Sequence, residues 1–337
     1  MANSIQLSKN YTDMLDEVYK LASLTDDLTS DSSIARAGAN ANEIMIPKLT
    51  MDGLGDYDRN SGYTKGDVTM TYETVKFNYD RGRKFEVDYV DNEETAEVAF
   101  GRLAGEFIRR KVAPENDAFT FAQIAGKSGI SKVDSGATLS SAADVMAALA
   151  AAVDGMDDDE VPAELRYLYI TPTLLGYIRD MDTTKSRELM SGFAKVTKVP
   201  QSRFMTAIDL LDGRSTGEEG GGYVKHVATY KASTDTSVVS GKTYYTKSGD
   251  VYTAVAEPTG NPSTSSYYER TSEAGKDINF LIVHKPAIIK FDKHVASNII
   301  HPDDNQSSDA YMQKYRKYGL VDVYENKVAG VYLHHKA

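Results

Sequence analysis

A few short runs in the sequence have residue types that could do chemistry. Gly126-Lys127-Ser128 has the ending of a phosphate-binding loop, in which backbone amides cradle phosphates and the lysine reaches them. That loop also needs a glycine five residues earlier, where this chain has Phe121, so the loop cannot close and the run reads as a helix end. Asp56, Asp58 and Asn60, with Asp67 further on, have the spacing of the first, third, fifth and twelfth ligands of a calcium loop. The glycine of the sharp turn is displaced to Gly62 and no helix pattern flanks the stretch, so a solvated hairpin turn is the expectation. Asp157-Asp158-Asp159-Glu160 reads as a solvated loop after a helix. The six histidines form no His-Glu-x-x-His pair, and there is no Gly-x-Ser-x-Gly elbow. Arg109-Arg110-Lys111 reads as a solvated or subunit-facing turn of helix. No run supports a catalytic, metal or cofactor site, and none of these is expected.

Composition narrows the classes further. The chain has 337 residues, enough for more than one compact unit. Its 38 Lys+Arg against 49 Asp+Glu give a formal charge of −11, which argues against a general grip on nucleic acid phosphates. Without cysteine, disulfides and thiolate metal sites are excluded. No signal pattern opens the sequence and no apolar run approaches a membrane span, so no membrane partner is expected. The 22 tyrosines, with no tryptophan, point to broad, partly wet contact surfaces.

The elements follow from periodicity. Tyr11, Leu15, Val18, Tyr19 and Ala22 have helical spacing, and a polar stretch follows. Ile44-Met45-Ile46-Pro47 starts a strand, and a run dense in turn formers spans residues 53–62. Val68, Met70 and Tyr72 alternate, then Val75, Phe77 and Tyr79 in a shifted phase that predicts a bulge or bend. Phe85, Val87 and Tyr89 alternate again. The whole reads as a long β-hairpin without a helix to cover it. A two-stranded ribbon is marginal alone, so neighbouring subunits are the expected cover.

A long helix is predicted next, capped at Asp91–Thr95, with an apolar stripe of Ala96, Ala99, Phe100, Leu103 and Phe107 and a kink at Pro114. Ser140 and Ser141 cap a helix through Val145, Leu149, Ala152 and Val153. Arg166–Ile170 reads as a buried strand, Thr171-Pro172 opens another helix, and residues 196–204 read as a strand interrupted by Pro200. Residues 217–222 are glycine-rich and read as a flexible joint. Behind it, Val238-Val239, Tyr244-Tyr245, residues 251–255 and Tyr267-Tyr268 are short β-prone runs between turn signals, a small all-β module. Most of the module's tyrosines are expected in its own core. Phe280–Val283 is a second buried strand, residues 328–333 a terminal one, and residues 310–318 stay open between helix and strand.

Several motifs, taken in order, resemble the major capsid proteins of tailed bacteriophages, the Hong Kong 97-type shell. They are Ile46-Pro47-Lys48, Gly53-Leu54-Gly55-Asp56-Tyr57, Asp80-Arg81-Gly82-Arg83-Lys84-Phe85, Asp88-Tyr89-Val90-Asp91-Asn92-Glu93-Glu94-Thr95 and Val112-Ala113-Pro114-Glu115-Asn116-Asp117-Ala118, with Asn326-Lys327-Val328-Ala329-Gly330-Val331-Tyr332 near the C-terminus. The resemblance covers most of the chain outside residues 217–270.

It implies an α+β fold with an N-terminal arm (1–40), an extended loop (41–90), a peripheral-domain spine helix (91–134), an axial domain (135–216 and 271–300), the β insertion (217–270) and a C-terminal peripheral part (301–337). It implies a structural, non-enzymatic head protein that joins copies of itself in pentamers and hexamers of an icosahedral shell in the virion. Such a shell is assembled in the host bacterial cytoplasm and encloses DNA without sequence-specific binding. Scaffolding would be a separate protein, since the arm is reached almost at once; portal and decoration proteins are the other implied partners. Asp56, Tyr57, Lys65, Arg81 and Arg83 are the implied assembly contacts of the loop. Lys65, Asn326 and Glu325 have the residue types that some members use for a Lys–Asn cross-link, yet ordinary surface roles are expected for them and no cross-link is expected. The alternatives are an encapsulin-like compartment of the same fold and, in another class, a β-rich adhesin.

Overall fold

The computed structural model describes residues 22–30, 36–37, 42–90, 98–256, 258–263 and 266–337. The helix expected at residues 11–24, but for its last three positions, and the cap at Asp91–Thr95 lie outside them. The chain folds as two compact units, Met1–Pro114 with His284–Val328, and Glu115–Val283 with Ala329–Ala337.

In chain order, β1 (Arg36–Ala37), β2 (Glu43–Met51), β3 (Val68–Lys76), β4 (Tyr79–Asp88) and α1 (Val98–Phe107) come first. A π turn, Ile108–Val112, leads into α2 (Ala113–Gly126). Pro114 cannot donate to the carbonyl four residues back, at Arg110, and its ring needs room there. The wide π turn ahead of it supplies that room, so the helical run continues where the sequence predicted a kink. Then follow β5 (Ser131–Lys132), α3 (Ala142–Asp158), β6 (Arg166–Ile170), α4 (Pro172–Met181), α5 (Thr184–Ser191), β7 (Lys195–Lys198), β8 (Ile208–Leu211) and β9 (Gly222–Lys225). The rest are β10 (Thr229–Ala232), β11 (Tyr244–Ser248), β12 (Val251–Val255), β13 (Tyr268–Ser272), β14 (Ile278–His284), β15 (Ile288–Ile300), β16 (Ala310–Val323) and β17 (Val331–His335).

In the first unit, β2 and β3 form a regular antiparallel hairpin from Glu43↔Lys76 to Met51↔Val68. Its register is unbroken, so the predicted bulge is absent; the change of phase reflects a change in which face is apolar. The third alternating run also departs from the expectation. Strand β4 leaves the hairpin and pairs with β16, from Ala310↔Asp88 to Gly319↔Tyr79, in the sheet β15-β16-β4. Residues 310–318 are therefore strand. Helix α1 packs on this sheet, where Phe107 meets Phe85 at 4.8 Å and Tyr315 at 6.1 Å, edge to face. One edge of this sheet, β15, is covered at its start by the segment before β1. Ser30 N–H donates to Lys290 O at 2.9 Å, and the Ser30 hydroxyl donates to Ile288 O at 2.8 Å. The ammonium of Lys290, 1% exposed, donates to Thr25 O at 2.7 Å and Thr25 Oγ1 at 2.9 Å.

The second unit is built on the mixed sheet β5-β17-β14-β6-β7. Phe280 to Val283 on β14 are fully buried, as an unbroken apolar run in a central strand should be. Helix α3 starts with a capping box: the Ser141 hydroxyl accepts from Asp144 N at 3.2 Å, and Asp144 accepts from Ser141 N at 3.1 Å. Its buried stripe, Val145, Leu149, Ala152 and Met156, packs with Leu174, Leu175 and Ile178 of α4 over Leu168, Ile170, Phe280 and Ile282. The acidic run at the end of α3 is exposed, as expected, and within it Asp157 pairs at 2.6 Å with Arg166, a buried guanidinium.

The glycine-rich stretch is no loose joint. It is the turn of the β8–β9 hairpin, paired from Ile208↔Lys225 to Leu211↔Gly222. Asp212 accepts from Arg214 N at 2.7 Å, from Ser215 N at 2.8 Å and from the Ser215 hydroxyl. These bonds, that of the hydroxyl foremost, hold its carboxyl down at about 2. Beyond it lies a four-stranded antiparallel sheet, β10-β13-β11-β12. Tyr244 and Tyr245 are buried in it, and Tyr230 stacks on Tyr252 at 4.0 Å. The Tyr244 hydroxyl donates to Asp235 at 2.6 Å, and Lys242 bridges Asp235 at 2.6 Å and Glu269 at 3.0 Å. Val238 and Val239 are exposed loop rather than strand, and β10, earlier in the chain, is the strand that completes the sheet in their stead.

Candidate assembly surface

The β2–β3 hairpin has two faces and uses them differently along its length. At its base the face of Ile44, Ile46 and Val75 is buried against Ile289, Phe291 and Leu320. Further out the same face turns polar, with Lys48 opposite Thr71 and Thr50 opposite Thr69. There the opposite face becomes apolar: Pro47 stands across from Tyr72, Leu49 across from Met70, and Met51 across from Val68. Strand geometry puts these residues side by side on one surface. In the single chain they face water, with Leu49 54%, Met51 63%, Val68 69% and Met70 53% exposed. A contiguous apolar strip of this kind marks an interaction site.

The loop beyond is ordered by short-range bonds. Asp67 N donates to Asp52 Oδ2 at 2.8 Å. Asp58 accepts from Asn60 N at 3.0 Å and from the Ser61 hydroxyl at 2.8 Å; these bonds, the amide first, hold its carboxyl below the usual range. Gly62, at φ +80°, closes the turn in a backbone region that L side chains rarely adopt. Tyr57 and Tyr63 lie 4.8 Å apart, centroid to centroid, and Leu54 projects fully into solvent. Of the calcium-spaced residues, Asp58 is thus engaged in its own Asx turn, and Asp67 donates its amide to Asp52. Among the described residues no group of three or more histidines or carboxylates is placed to hold a metal.

The residues expected at assembly contacts fall in two places. Asp56, Tyr57 and Lys65 are on the exposed loop. Arg81 and Arg83 are on β4, across from Lys317 and Tyr315. Glu325 and Asn326 open a short 3₁₀ segment, and Glu325 accepts from Lys48 at 3.4 Å. In the basic turn of the π segment, Arg109 and Arg110 both pair with Glu106. The apolar strip itself was only half legible: the alternation of Val68, Met70 and Tyr72 was visible, but the facing Leu49 and Met51 needed the register.

No family model matches the sequence, and no curated protein does. Solved structures do. A chain of the capsid of cyanophage P-SCSP1u matches with a TM-score of 0.52 at 13% identity, covering 94% of this chain and 88% of its own. One from the capsid of Staphylococcus phage Andhra gives 0.52 at 12% identity, covering 94% and 84%. One from Mycobacterium phage Che8 gives 0.51 at 14%, covering 93% and 90%. The protein has the Hong Kong 97-type phage capsid fold. Within the capsid fold the match runs along nearly the whole chain. No helix among the described residues is long and apolar enough to cross a membrane.

Proposed function

We propose that this protein is the major capsid subunit of a tailed phage, and that copies of it assemble into the icosahedral shell that encloses double-stranded DNA. The observation that carries this is the distal hairpin: an ordered ribbon whose apolar strip, from Pro47 and Tyr72 outward, is left for another chain to cover. Burial there follows ordinary hydrophobic energetics, about 1.5–3 kcal/mol for each large side chain removed from water. A net charge of −11 fits a wall that faces DNA without gripping it.

In this reading the hairpin and its loop form the extended arm between subunits, with Asp56, Tyr57 and Lys65 at its tip. The β15-β16-β4 sheet with α1 forms the peripheral part, on which Arg81 and Arg83 contribute contacts. The five-stranded sheet with its helices forms the axial part around pentamer and hexamer centres. The four-stranded tyrosine module projects from the outer face. Scaffolding, portal and decoration proteins complete the partners. Lys65, Glu325 and Asn326 stay unlinked, so boiled particles run as a single band at the mass of one chain. Sedimentation tests the proposal: the purified protein forms shells, tubes or five- and six-membered rings. A strict monomer across salt and concentration contradicts it.

A further inference from the structure

The fold brings together three residues that no sequence motif connects. Asp209 is on β8, His226 follows the last residue of β9, and Ser272 ends β13. His226 Nδ1 is 2.7 Å from Asp209 Oδ1, and its Nε2 is 2.7 Å from Ser272 Oγ. A carboxylate on Nδ1 holds the imidazole proton there and leaves Nε2 to accept from the serine hydroxyl. This is the order of contacts that activates a serine: nucleophile to base, base to orienting acid. We propose that Ser272 is a base-activated nucleophile that transfers the acyl group of small esters to water, with His226 as its base and Asp209 as a positioning residue.

The surroundings fix this geometry. The His226 backbone is pinned from both sides, its N–H donating to Ala207 O at 3.1 Å and its carbonyl accepting from Gly275 N at 2.9 Å. The β10–β13 register shifts between Thr229 and Tyr230: Ser272 faces Thr229, while Tyr230 faces Arg270, so Thr271 is passed over. Such bulges redirect side chains and are enriched beside active sites. Here the bulge leaves Thr229 N–H donating to Ser272 Oγ at 3.2 Å, with the Thr229 hydroxyl 2.6 Å from the same oxygen. The group is accessible: the Asp209 side chain is 50% and His226 17% exposed, and Thr229 and Thr271 are exposed.

The step balances without an oxidant or cofactor. Ser272 Oγ bonds to the ester carbon while its proton passes to His226 Nε2, and the carbonyl becomes an oxyanion. As the oxyanion collapses, the bond to the alcohol oxygen breaks and His226 returns the proton to it. Water then attacks the acyl carbon, gives its proton to Nε2, and Ser272 leaves with that proton restored. Ester and water become acid and alcohol.

The assembled protein is incubated with a fluorophosphonate, which bonds to an activated serine oxygen with loss of fluoride, and separately with 4-nitrophenyl acetate. Labelling is expected on the peptide that holds Ser272 and to vanish in Ser272→Ala. His226→Gln keeps a hydrogen-bonding amide in place and so separates loss of the base from loss of the fold. It should slow labelling and ester turnover by roughly 100-fold or more. Asp209→Asn should lower kcat with KM unchanged, since it alters the imidazole tautomer and not the substrate contact. Turnover by Ser272→Ala equal to that of the unaltered protein, label on other residues alone, or an unchanged labelling rate in His226→Gln would overturn the proposal.

Discussion

Strand β14 and the outer half of the β2–β3 hairpin are both rich in large apolar side chains, and they meet water in opposite ways. On β14, Phe280, Leu281, Ile282 and Val283 are all fully buried, between a helical layer and the strands on either side. On the hairpin, Leu49, Met51, Val68 and Met70 each expose half or more of their surface. The hydrophobic term of β14 is therefore used within the chain, and that of the distal hairpin is not taken up by the described residues. The hairpin's base makes the contrast sharper. Ile44, Ile46 and Val75 use one face for their own unit's core, and the apolar strip beyond lies on the other face. One ribbon is thus divided into an inward anchor and an outward contact.

Removing the contact and leaving the anchor breaks this comparison hardest. Replacing residues 47–72, which carry the strip and the loop beyond it, with a short Gly/Ser turn should leave the subunit folded and abolish closed shells; normal particles after that exchange would refute the division. Next in size is Phe280→Ala, expected to cost about 3–5 kcal/mol in the unfolding of the unassembled subunit, as core aromatics do. Met70→Ala, in the same denaturant titration, should fall within about 0.5 kcal/mol of the unaltered protein while weakening assembly. Equal losses in the two variants would erase the distinction.

A smaller effect concerns pH. His334 on β17 is buried against Phe280, 4.9 Å between centroids, and its Nδ1 accepts from the Asn279 amide at 3.0 Å. Burial, with neighbouring His335 as a second cause, lowers its pKa below the ordinary 6.5. The unfolded chain then takes up a proton that the folded chain refuses. Stability from this group is full above pH 6.5 and is lost as pH falls toward the folded value. The acid slope of the melting temperature should flatten in His334→Gln; an unchanged slope would remove His334 from the account.

The smallest expected effect is that of the tyrosine module. Tyr230 and Arg270 face each other across β10 and β13. Antiparallel partners are about 5 Å apart, so a short Gly/Ser linker can replace the residues between them. Assembly should survive the exchange, and loss of the host fold would show that the module is structural.

Much of this could be read from the sequence, for identifiable reasons. Arg166–Ile170 and Phe280–Val283 were legible because a strand buried on both faces needs an unbroken apolar run. The helix starts at Ser141, a capping box, and at Thr171-Pro172, a proline at the first position, were legible because both signals are local. Residues 310–318 were ambiguous because β16 is buried on both sides for much of its length and even holds Lys317, paired with Asp292 at 3.0 Å. The partner of β4 was hidden by sequence distance. Glycines at 217–222 read as slack because the side chains that tie the turn, Asp212 and Glu218, carry no signal of their own. The Asp209–His226–Ser272 group left no motif, since each residue comes from a different strand or its flank.

The most direct measurement is electron microscopy of the particles at a resolution that traces the hairpin. Each β2–β3 ribbon should lie across a neighbouring subunit, with the strip of Leu49, Met51, Val68 and Met70 covered by that neighbour. A hairpin standing free in solvent within a closed shell, or one whose polar face of Thr50 and Thr69 makes the contact instead, would contradict it.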